Sequence, residues 1–192
     1  MPMTEFLMLQ PRTRSDADFT VDGVQHNGRL DIGCRVIHAA LFGSYQLRRD
    51  MTVHLLLDGP PDPPVHLTLH GDKIEGLHPD ERAIAGYLKK NMKSFEKRKV
   101  PANKGVSIDK RGIEEIIEDR GLQPVMLHEE GTDIGTYEPP TDPLFIVGDN
   151  KGIPDDRMDQ LRSMDADTVT VGPGQYQAQQ VVSYLTIWLD RR

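Results

Sequence analysis

The sequence predicts an α/β fold: a mostly parallel sheet flanked by helices, built by residues 1–192 as one domain. Three observations support this prediction. Short apolar runs alternate with amphipathic stretches, and in the second half strands and helices take turns, as a parallel sheet requires. Two of the predicted strand-to-helix connections carry glycines directly after the strand. The proline-rich turns are typical of connections inside one domain, and the chain is long enough to bury a substantial core.

Three predicted strands lie in the first half of the chain. EFLML at 5–9 opens it, and TVHLLL at 52–57 and VHLTL at 65–69 flank the turn DGPPDPP, which no regular element can occupy.

Three helices are predicted between and after these strands. In the stretch 29–47, apolar residues recur at helical spacing, and Asp31 and Arg35 lie one turn apart on another face. The stretch 79–95 begins with proline and two acids and ends in lysines, an order that complements the helix dipole. The stretch 107–121, SIDKRGIEEIIEDRG, is predicted as a helix that ends at Gly121.

The second half continues with alternating elements. The predicted strands are PVMLHE at 124–129, LFIVG at 144–148 and TVTVG at 168–172, and the predicted helices are PDDRMDQLRSM at 154–164 and QYQAQQVVSYLTIWLD at 175–190.

Composition and charge exclude several classes of protein. No apolar run is long enough to span a bilayer, and the first residues lack the features of a secretory signal, so a cytoplasmic protein without a membrane partner is expected. Cys34 is the only cysteine, which excludes an intramolecular disulfide and a thiolate zinc cluster, and we expect no metal. The net charge of −7 argues against non-specific nucleic-acid binding as the main activity.

One segment departs from this acidic average. From Lys89 to Arg111, nine Lys and Arg side chains oppose only Glu96 and Asp109. Such a segment on an acidic body suits a polyanion bound at one place, although a solvated helix end and loop explain a charge run equally simply.

The loop in FIVGDNKGIPDD at 145–156 matches no common ligand motif by itself. Lys151 precedes Gly152 and no hydroxyl follows, so the spacing is wrong for a phosphate-binding P-loop, and the dinucleotide glycine pattern is absent. The oxygen ligands are also badly spaced for calcium. Alone, the loop reads as a strand-to-helix turn. Together with VGPGQ at 171–175 and MLHEEG at 126–131, it can form a ligand crevice at the carboxyl ends of three strands.

These three loops resemble the C-terminal cofactor region of the SPOUT methyltransferases. The N-terminal half narrows the resemblance, because NGRLDIGCRVIHAALFGSYQLRRD at 27–50, DGPPDPPV at 58–65 and PDERAIAGYLKK at 79–90 are similar to the archaeal tRNA (pseudouridine54-N1)-methyltransferases. The resemblance covers nearly the whole chain. It implies a C-terminal trefoil knot over about 124–192, S-adenosylmethionine as cofactor, tRNA as substrate, methylation of N1 of pseudouridine 54, and a homodimer.

The resemblance also implies which residues contact the cofactor. They are Leu127, Gly148, Val171, Gly172, Pro173, Gly174, Gln175, Tyr176 and Val181. The chain departs from the family at two places, with Asn150 where histidine is common and Val181 where cysteine is frequent. The alternatives are a protein of this fold that binds RNA or cofactor without methyl transfer, and a methyltransferase for another RNA pseudouridine.

Candidate catalytic and RNA-binding residues follow from the chemistry of the reaction. The N1–H of pseudouridine must lose its proton near the transfer step, so a carboxylate and a cation near N1 are expected. Asp31 is the candidate proton acceptor or base-orienting group, and Arg29 a phosphate or base contact; an intrahelical pair between Asp31 and Arg35 is the alternative. The candidate RNA contacts are Arg35, Lys97, Arg98 and Lys99. Asp149 is expected to orient its own loop.

Overall fold

A seven-stranded sheet between two layers of helices forms the core of the protein. The structure, a computed structural model, describes residues 3–44 and 46–192. Its strands are β1 (Thr4–Arg14), β2 (Met51–Gly59), β3 (Val65–His70), β4 (Val106–Asp109), β5 (Gln123–Asp133), β6 (Pro143–Val147) and β7 (Asp167–Thr170). Its α-helices are α1 (Leu30–Leu41), α2 (Glu81–Glu96), α3 (Ile113–Arg120), α4 (Asp155–Ser163) and α5 (Ala178–Asp190), and a short 3-10 helix (Val21–His26) precedes α1.

The strands are arranged in the order β4-β3-β2-β1-β6-β5-β7. The pairs β1–β2, β1–β6, β5–β6 and β5–β7 are parallel, and only β2–β3 and β3–β4 are antiparallel. The mostly parallel α/β sheet predicted from the sequence is therefore confirmed.

The two faces of the sheet bury different side chains. One face, with Phe6, Met8 and Leu55, packs against α1, α2 and α5. The other face, with Leu7 and Leu56, packs against α3 and α4. Because successive strand residues point to opposite faces, β1 and β2 are apolar on both sides, as central strands of a parallel sheet must be.

Three predictions about elements are wrong in part. The stretch 107–121 is not one helix, because Val106–Asp109 pairs with β3 and only Ile113–Arg120 is helical. Helix α1 ends at Leu41, where Phe42 turns extended, and not at 47. Helix α5 begins at Ala178 rather than 175, since Gln177 is extended and caps the helix.

The carboxyl ends of β6, β5 and β7 meet at one edge of the sheet. There β5 departs from regular pairing: Leu127 and Thr132 both align with Val169, so residues 128–131 loop out of the strand. The predicted strand 124–129 thus continues to Asp133 after an interruption. This loop and the loops after β6 and β7 lie side by side, as expected for a ligand site in an open α/β sheet.

Candidate active site

A cavity of about 660 Å³ opens at this edge of the sheet. Its volume lies in the range of about 300–1,000 Å³ that small-molecule sites usually have. Its floor is apolar and consists of Val147, Ile153, Val169 and Val181. Arg29 and Arg35 of the α1 region also line the cavity. The cavity therefore combines apolar side chains that suit a flat ring with cations that suit an anion.

Most of the predicted cofactor residues meet here. Leu127, Gly148, Val171, Gly174, Gln175, Tyr176 and Val181 line the cavity. Gly172 and Pro173 belong to the same loop but do not line it. The sequence predictions did not include His128, Glu129, Lys151 or Asp155, which line it too.

The loop after β6 is a closed turn with little freedom. The N–H of Gly152 donates to the carbonyl of Asp149 at 3.0 Å, and Asp149 Oδ1 accepts from the N–H of Lys151 at 2.8 Å. A Cβ on Gly148 would lie 2.2 Å from the backbone of Gly152, so only glycine fits there. Asp149 therefore orients its own loop, as expected.

Arg12, at the end of β1, ties this turn to the centre of the sheet. Its Nη2 donates to Asp149 Oδ2 at 2.7 Å and to Asn150 Oδ1 at 2.8 Å. The side chain of Asp149 is 1% exposed and that of Arg12 is 39% exposed. Arg12 was not among the predicted site residues, because the contact joins positions 137 residues apart and no local pattern reports it.

Arg29 stands on a strained turn that β1 holds in place. Gly28 and Arg29 both have positive φ, 55° and 66°, immediately before α1. Left-handed backbone is unfavourable for a residue with a side chain and is often found at functional sites. Thr13 Oγ1 donates to the carbonyl of Gly28 at 3.0 Å, and Gln10 Nε2 donates to the carbonyl of Arg29 at 3.1 Å.

The guanidinium of Arg29 is fixed by Asp31. Arg29 donates through Nε and Nη2 to the two oxygens of Asp31, both at 2.9 Å, and Arg35 Nη2 lies 3.2 Å from Asp31 Oδ2. The carboxylate is buried, whereas Arg29 and Arg35 are 34% and 44% exposed. The intrahelical pair with Arg35 thus exists, but it is part of a three-membered cluster.

This cluster keeps Asp31 ionised. Burial raises the pKa of Asp31, but the hydrogen bonds and charge of Arg29 and the charge of Arg35 outweigh it, so the net pKa is lowered. A carboxylate with a lowered pKa is a weak proton acceptor and a strong anchor for guanidinium groups. The geometry therefore favours the orienting role for Asp31 over the role of proton acceptor.

The predicted RNA contacts Lys97, Arg98 and Lys99 lie away from the cavity, beyond the end of α2, and are exposed. Glu96 Oε1 accepts from the N–H of Ala17 at 2.6 Å, which places this end of α2 against the segment that follows β1. At its other end, α2 is tied to the cavity, because Glu81 Oε2 accepts from Arg35 Nε at 3.1 Å.

Only part of the basic segment is free to bind an anion. Lys104, Lys110 and Arg111 form ion pairs with carboxylates, and Lys89 donates to the carbonyl of Phe19. Within residues 3–44 and 46–192, the remaining five have no carboxylate partner within 4.0 Å; they are Lys90, Lys93, Lys97, Arg98 and Lys99.

Within residues 3–44 and 46–192, no group of three or more histidine, cysteine or acidic side chains is arranged to hold a metal ion. None of the helices in this part of the chain is long and apolar enough to cross a membrane.

The chain matches a known protein family over nearly its whole length. The family described as "Putative SAM-dependent RNA methyltransferase" matches residues 3–192. The chain belongs to this family. Its curated relatives include the tRNA (pseudouridine(54)-N(1))-methyltransferase of Methanopyrus kandleri, 34% identical over 98% of this chain and 93% of the relative. That of Methanococcoides burtonii is 30% identical over 98% of this chain and 96% of the relative.

A solved structure supports the fold of this methyltransferase family member. The crystal structure of Archaeoglobus fulgidus Nep1 bound to S-adenosylhomocysteine superposes with a TM-score of 0.71 at 16% identity, covering 100% of this chain and 98% of the other. At this identity the likeness shows the fold alone.

The cavity fits S-adenosylmethionine, the cofactor that the family uses. The apolar floor of valines and Ile153 can take the adenine ring, and the glycine turns bring backbone polar groups close to its edge. Glu129, which accepts from Gln175 Nε2 at 3.0 Å, places a carboxylate on the cavity wall, where a cationic cofactor is favoured.

Proposed function

We propose that the protein methylates N1 of pseudouridine 54 in the T arm of tRNA, with S-adenosylmethionine as methyl donor. One observation carries this proposal. The chain matches enzymes named for that reaction over its full length, and its cavity combines apolar side chains that suit a ring with arginines that are held in place. A tRNA substrate also implies a cytoplasmic location.

The cofactor supplies a methyl group on a positively charged sulfur, so the protein mainly aligns the nucleophile and excludes water. In pseudouridine the base is attached through carbon, which leaves an N1–H, whereas N1 of uridine is blocked by the sugar. As N1 loses its proton, negative charge develops on the uracil ring, and transfer of the methyl group to N1 removes that charge again. Arg29 stabilises that charge, and Asp31 holds Arg29 in the productive orientation. The proton leaves to water at the open mouth of the cavity.

The RNA stem lies along the outside of α2 in this proposal. Helix α2 has 16 residues and is therefore about 24 Å long, with Arg35 near its start and Lys97 to Lys99 beyond its end. A hairpin that places one base in the cavity can thus contact the cations with its phosphates. These contacts position the RNA without reading its sequence.

Changing Lys97, Arg98 and Lys99 together to glutamate tests this docking site. We expect weaker binding of every hairpin sequence and a salt slope reduced by about 2–3, because each phosphate contact contributes about 0.7–0.9. Filter binding at several salt concentrations measures both. Unchanged affinity and slope would exclude these residues as RNA contacts.

A C-terminal trefoil knot is part of the same proposal. Strand β7 lies at the edge of the sheet beside β5, whereas the following helix, α5, packs against α1. The chain therefore turns back over the sheet after β7, which is compatible with a threaded chain. The likeness in fold to Nep1 supports it as well.

We further propose that two copies pair through α5. Tyr184 and Ile187 lie three residues apart on this helix and are 45% and 60% exposed, and exposed apolar side chains on one face mark an interaction surface. Ile187→Lys is expected to give a monomer in light scattering. Val100→Lys is the matched control, because Val100 is 83% exposed on another part of the chain. A dimer that survives Ile187→Lys places the interface elsewhere.

The decisive assay for the function uses labelled cofactor and two T-arm hairpins, one with pseudouridine and one with uridine at position 54. We expect methyl transfer to the pseudouridine hairpin alone. Tight cofactor and hairpin binding without transfer to either would instead indicate an RNA-binding protein of this fold. Transfer only to another pseudouridine-containing RNA would correct the substrate.

A further inference from the structure

Asn150 occupies a position on the cavity wall whose chemistry is set by its neighbour Arg12. Asn150 lines the cavity and follows Asp149 in the closed turn after β6. Arg12 Nη2 lies 2.8 Å from Asn150 Oδ1. The side chain of Asn150 is thus held by Arg12, a residue of the central strand β1.

This contact decides which way the amide of Asn150 faces. A guanidinium has hydrogen-bond donors and no acceptor, so only the oxygen of the amide can face Arg12. The Nδ2 group is then directed to the other side. Among the described residues, none accepts a hydrogen bond from Nδ2, so both of its N–H groups are available to a ligand.

The turn that carries Asn150 is also unusually well fixed. Asp149 uses one oxygen for the N–H of Lys151 and the other for Arg12, and its side chain is buried. Gly148 allows no larger residue. A donor held by a rigid frame costs little reorganisation when charge develops next to it.

We propose that Asn150 donates a hydrogen bond from Nδ2 to a carbonyl oxygen of the target pyrimidine, and that Arg12 is the positioning residue that fixes this donor. The inference rests on the proposed function. Loss of the N1 proton spreads negative charge onto the ring carbonyls, and a neutral amide donor opposite one of them stabilises that charge. Arg29 and Asn150 then act on the same ring from two loops.

Two substitutions at Asn150 separate this role from a structural one. Asn150→Asp keeps an oxygen for Arg12 and strengthens that contact, but its carboxylate has no N–H to donate. Asn150→Ala loses both the donor and the contact with Arg12. If the role of Asn150 were purely structural, Asn150→Asp would lower the transfer rate less than Asn150→Ala. If Asn150 donates to a developing anion, Asn150→Asp lowers the rate at least as much.

The experiment measures single-turnover methyl transfer to the pseudouridine hairpin, the Kd for S-adenosylmethionine and the thermal midpoint of each variant. We expect both variants to lower the transfer rate roughly 100-fold, with aspartate at least as slow as alanine. The cofactor Kd of Asn150→Asp should not rise above the wild-type value, and its thermal midpoint should not fall below it, because aspartate keeps the oxygen that Arg12 contacts. Gln25→Glu, which adds the same charge at an exposed position of the 3-10 helix, should transfer at the wild-type rate.

Three results would overturn the inference. They are a wild-type transfer rate in Asn150→Asp, a slow alanine variant beside a fast aspartate variant, and a rate loss in Asn150→Asp explained by weaker cofactor binding. If the wild-type protein transfers no methyl group to the hairpin, the proposed function fails instead. If the wild-type protein transfers the methyl group and the Asn150 variants transfer it at the same rate, the inference is refuted and the proposed function stands.

Discussion

Two regions of this molecule bury carboxylates beside cations, and they differ in their relation to the cavity. At the carboxyl edge of the sheet, Asp31 and Asp149 are buried, and Arg29, the partner of Asp31, lines the cavity. On the other half of the sheet, beneath α3, the polar groups of a closed cluster bind one another; its cation Arg120 is as exposed as Arg29, at 34%, but no residue of this cluster lines the cavity. A cluster at the cavity can present charge to a substrate, whereas a cluster away from it stabilises the fold.

The closed cluster, which we call the histidine chain, runs across four strands. Glu5 Oε2 accepts from His54 Nε2 at 2.6 Å, His54 Nδ1 lies 2.9 Å from His66 Nε2, and His66 Nδ1 lies 3.1 Å from Asp109. Glu5, His54 and His66 are each at most 3% exposed. Arg120 of α3 completes the chain by donating to Glu5.

The largest expected effect comes from breaking the histidine chain. Glu5→Ala leaves Arg120 and the ring of His54 without their acceptor, and we expect the free energy of unfolding to fall by about 3–5 kcal/mol. Urea denaturation measures it. The transfer rate per folded molecule should not change, because no residue of the histidine chain lines the cavity. A lower transfer rate per folded molecule of Glu5→Ala would show that the histidine chain and the cavity are coupled.

The histidine chain also predicts a dependence of stability on pH. Burial, with the charge of His66, lowers the pKa of His54 to about 4 from its usual 6.5. Above pH 6.5 neither state binds this proton. Between pH 6.5 and 4 the unfolded chain takes it up and the folded chain does not, so stability falls, by up to about 3 kcal/mol.

His54→Gln tests the origin of this slope. The variant should be less stable at pH 7, yet lose less further stability between pH 6.5 and 4, as measured by urea denaturation at each pH. An identical slope in both proteins would assign the acid sensitivity to other groups.

A smaller effect is expected at the open edge. Gly148→Ala forces a Cβ into the backbone of Gly152, and we expect the Kd for S-adenosylmethionine to rise roughly 10- to 100-fold, or about 1.4–2.7 kcal/mol. Gly86→Ala is the control, since Gly86 lies in α2, does not line the cavity, and its Cβ meets only Val21 at 4.0 Å, an ordinary contact. Calorimetry that finds equal Kd values for both variants would contradict the role of the closed turn.

The sequence predicted more of the scaffold than of either polar cluster. Alternating patterns identified the parallel sheet and most elements, and helical spacing identified the pair of Asp31 with Arg35. The pattern predicts helix for residues 107–109 of the short strand Val106–Asp109, because four residues are too few for a strand period to show and this strand depends on pairing with β3.

Contacts between distant positions could not be predicted from local patterns. Arg12 meets Asp149 across 137 residues, and Glu5 meets His54 across 49, because the sheet order brings those strands together. The left-handed turn at Arg29 could not be predicted from its local sequence either, because it is held by hydrogen bonds from Gln10 and Thr13 of β1.

The most direct test of the account is the single-turnover transfer rate of Asp31→Asn on the pseudouridine hairpin, beside Glu5→Gln. Asparagine keeps the size of Asp31 but not the charge that orients Arg29. We predict a rate roughly 100-fold below wild type with the cofactor Kd unchanged, and a wild-type rate for Glu5→Gln. A wild-type rate in Asp31→Asn, or the same loss in Glu5→Gln, would contradict it.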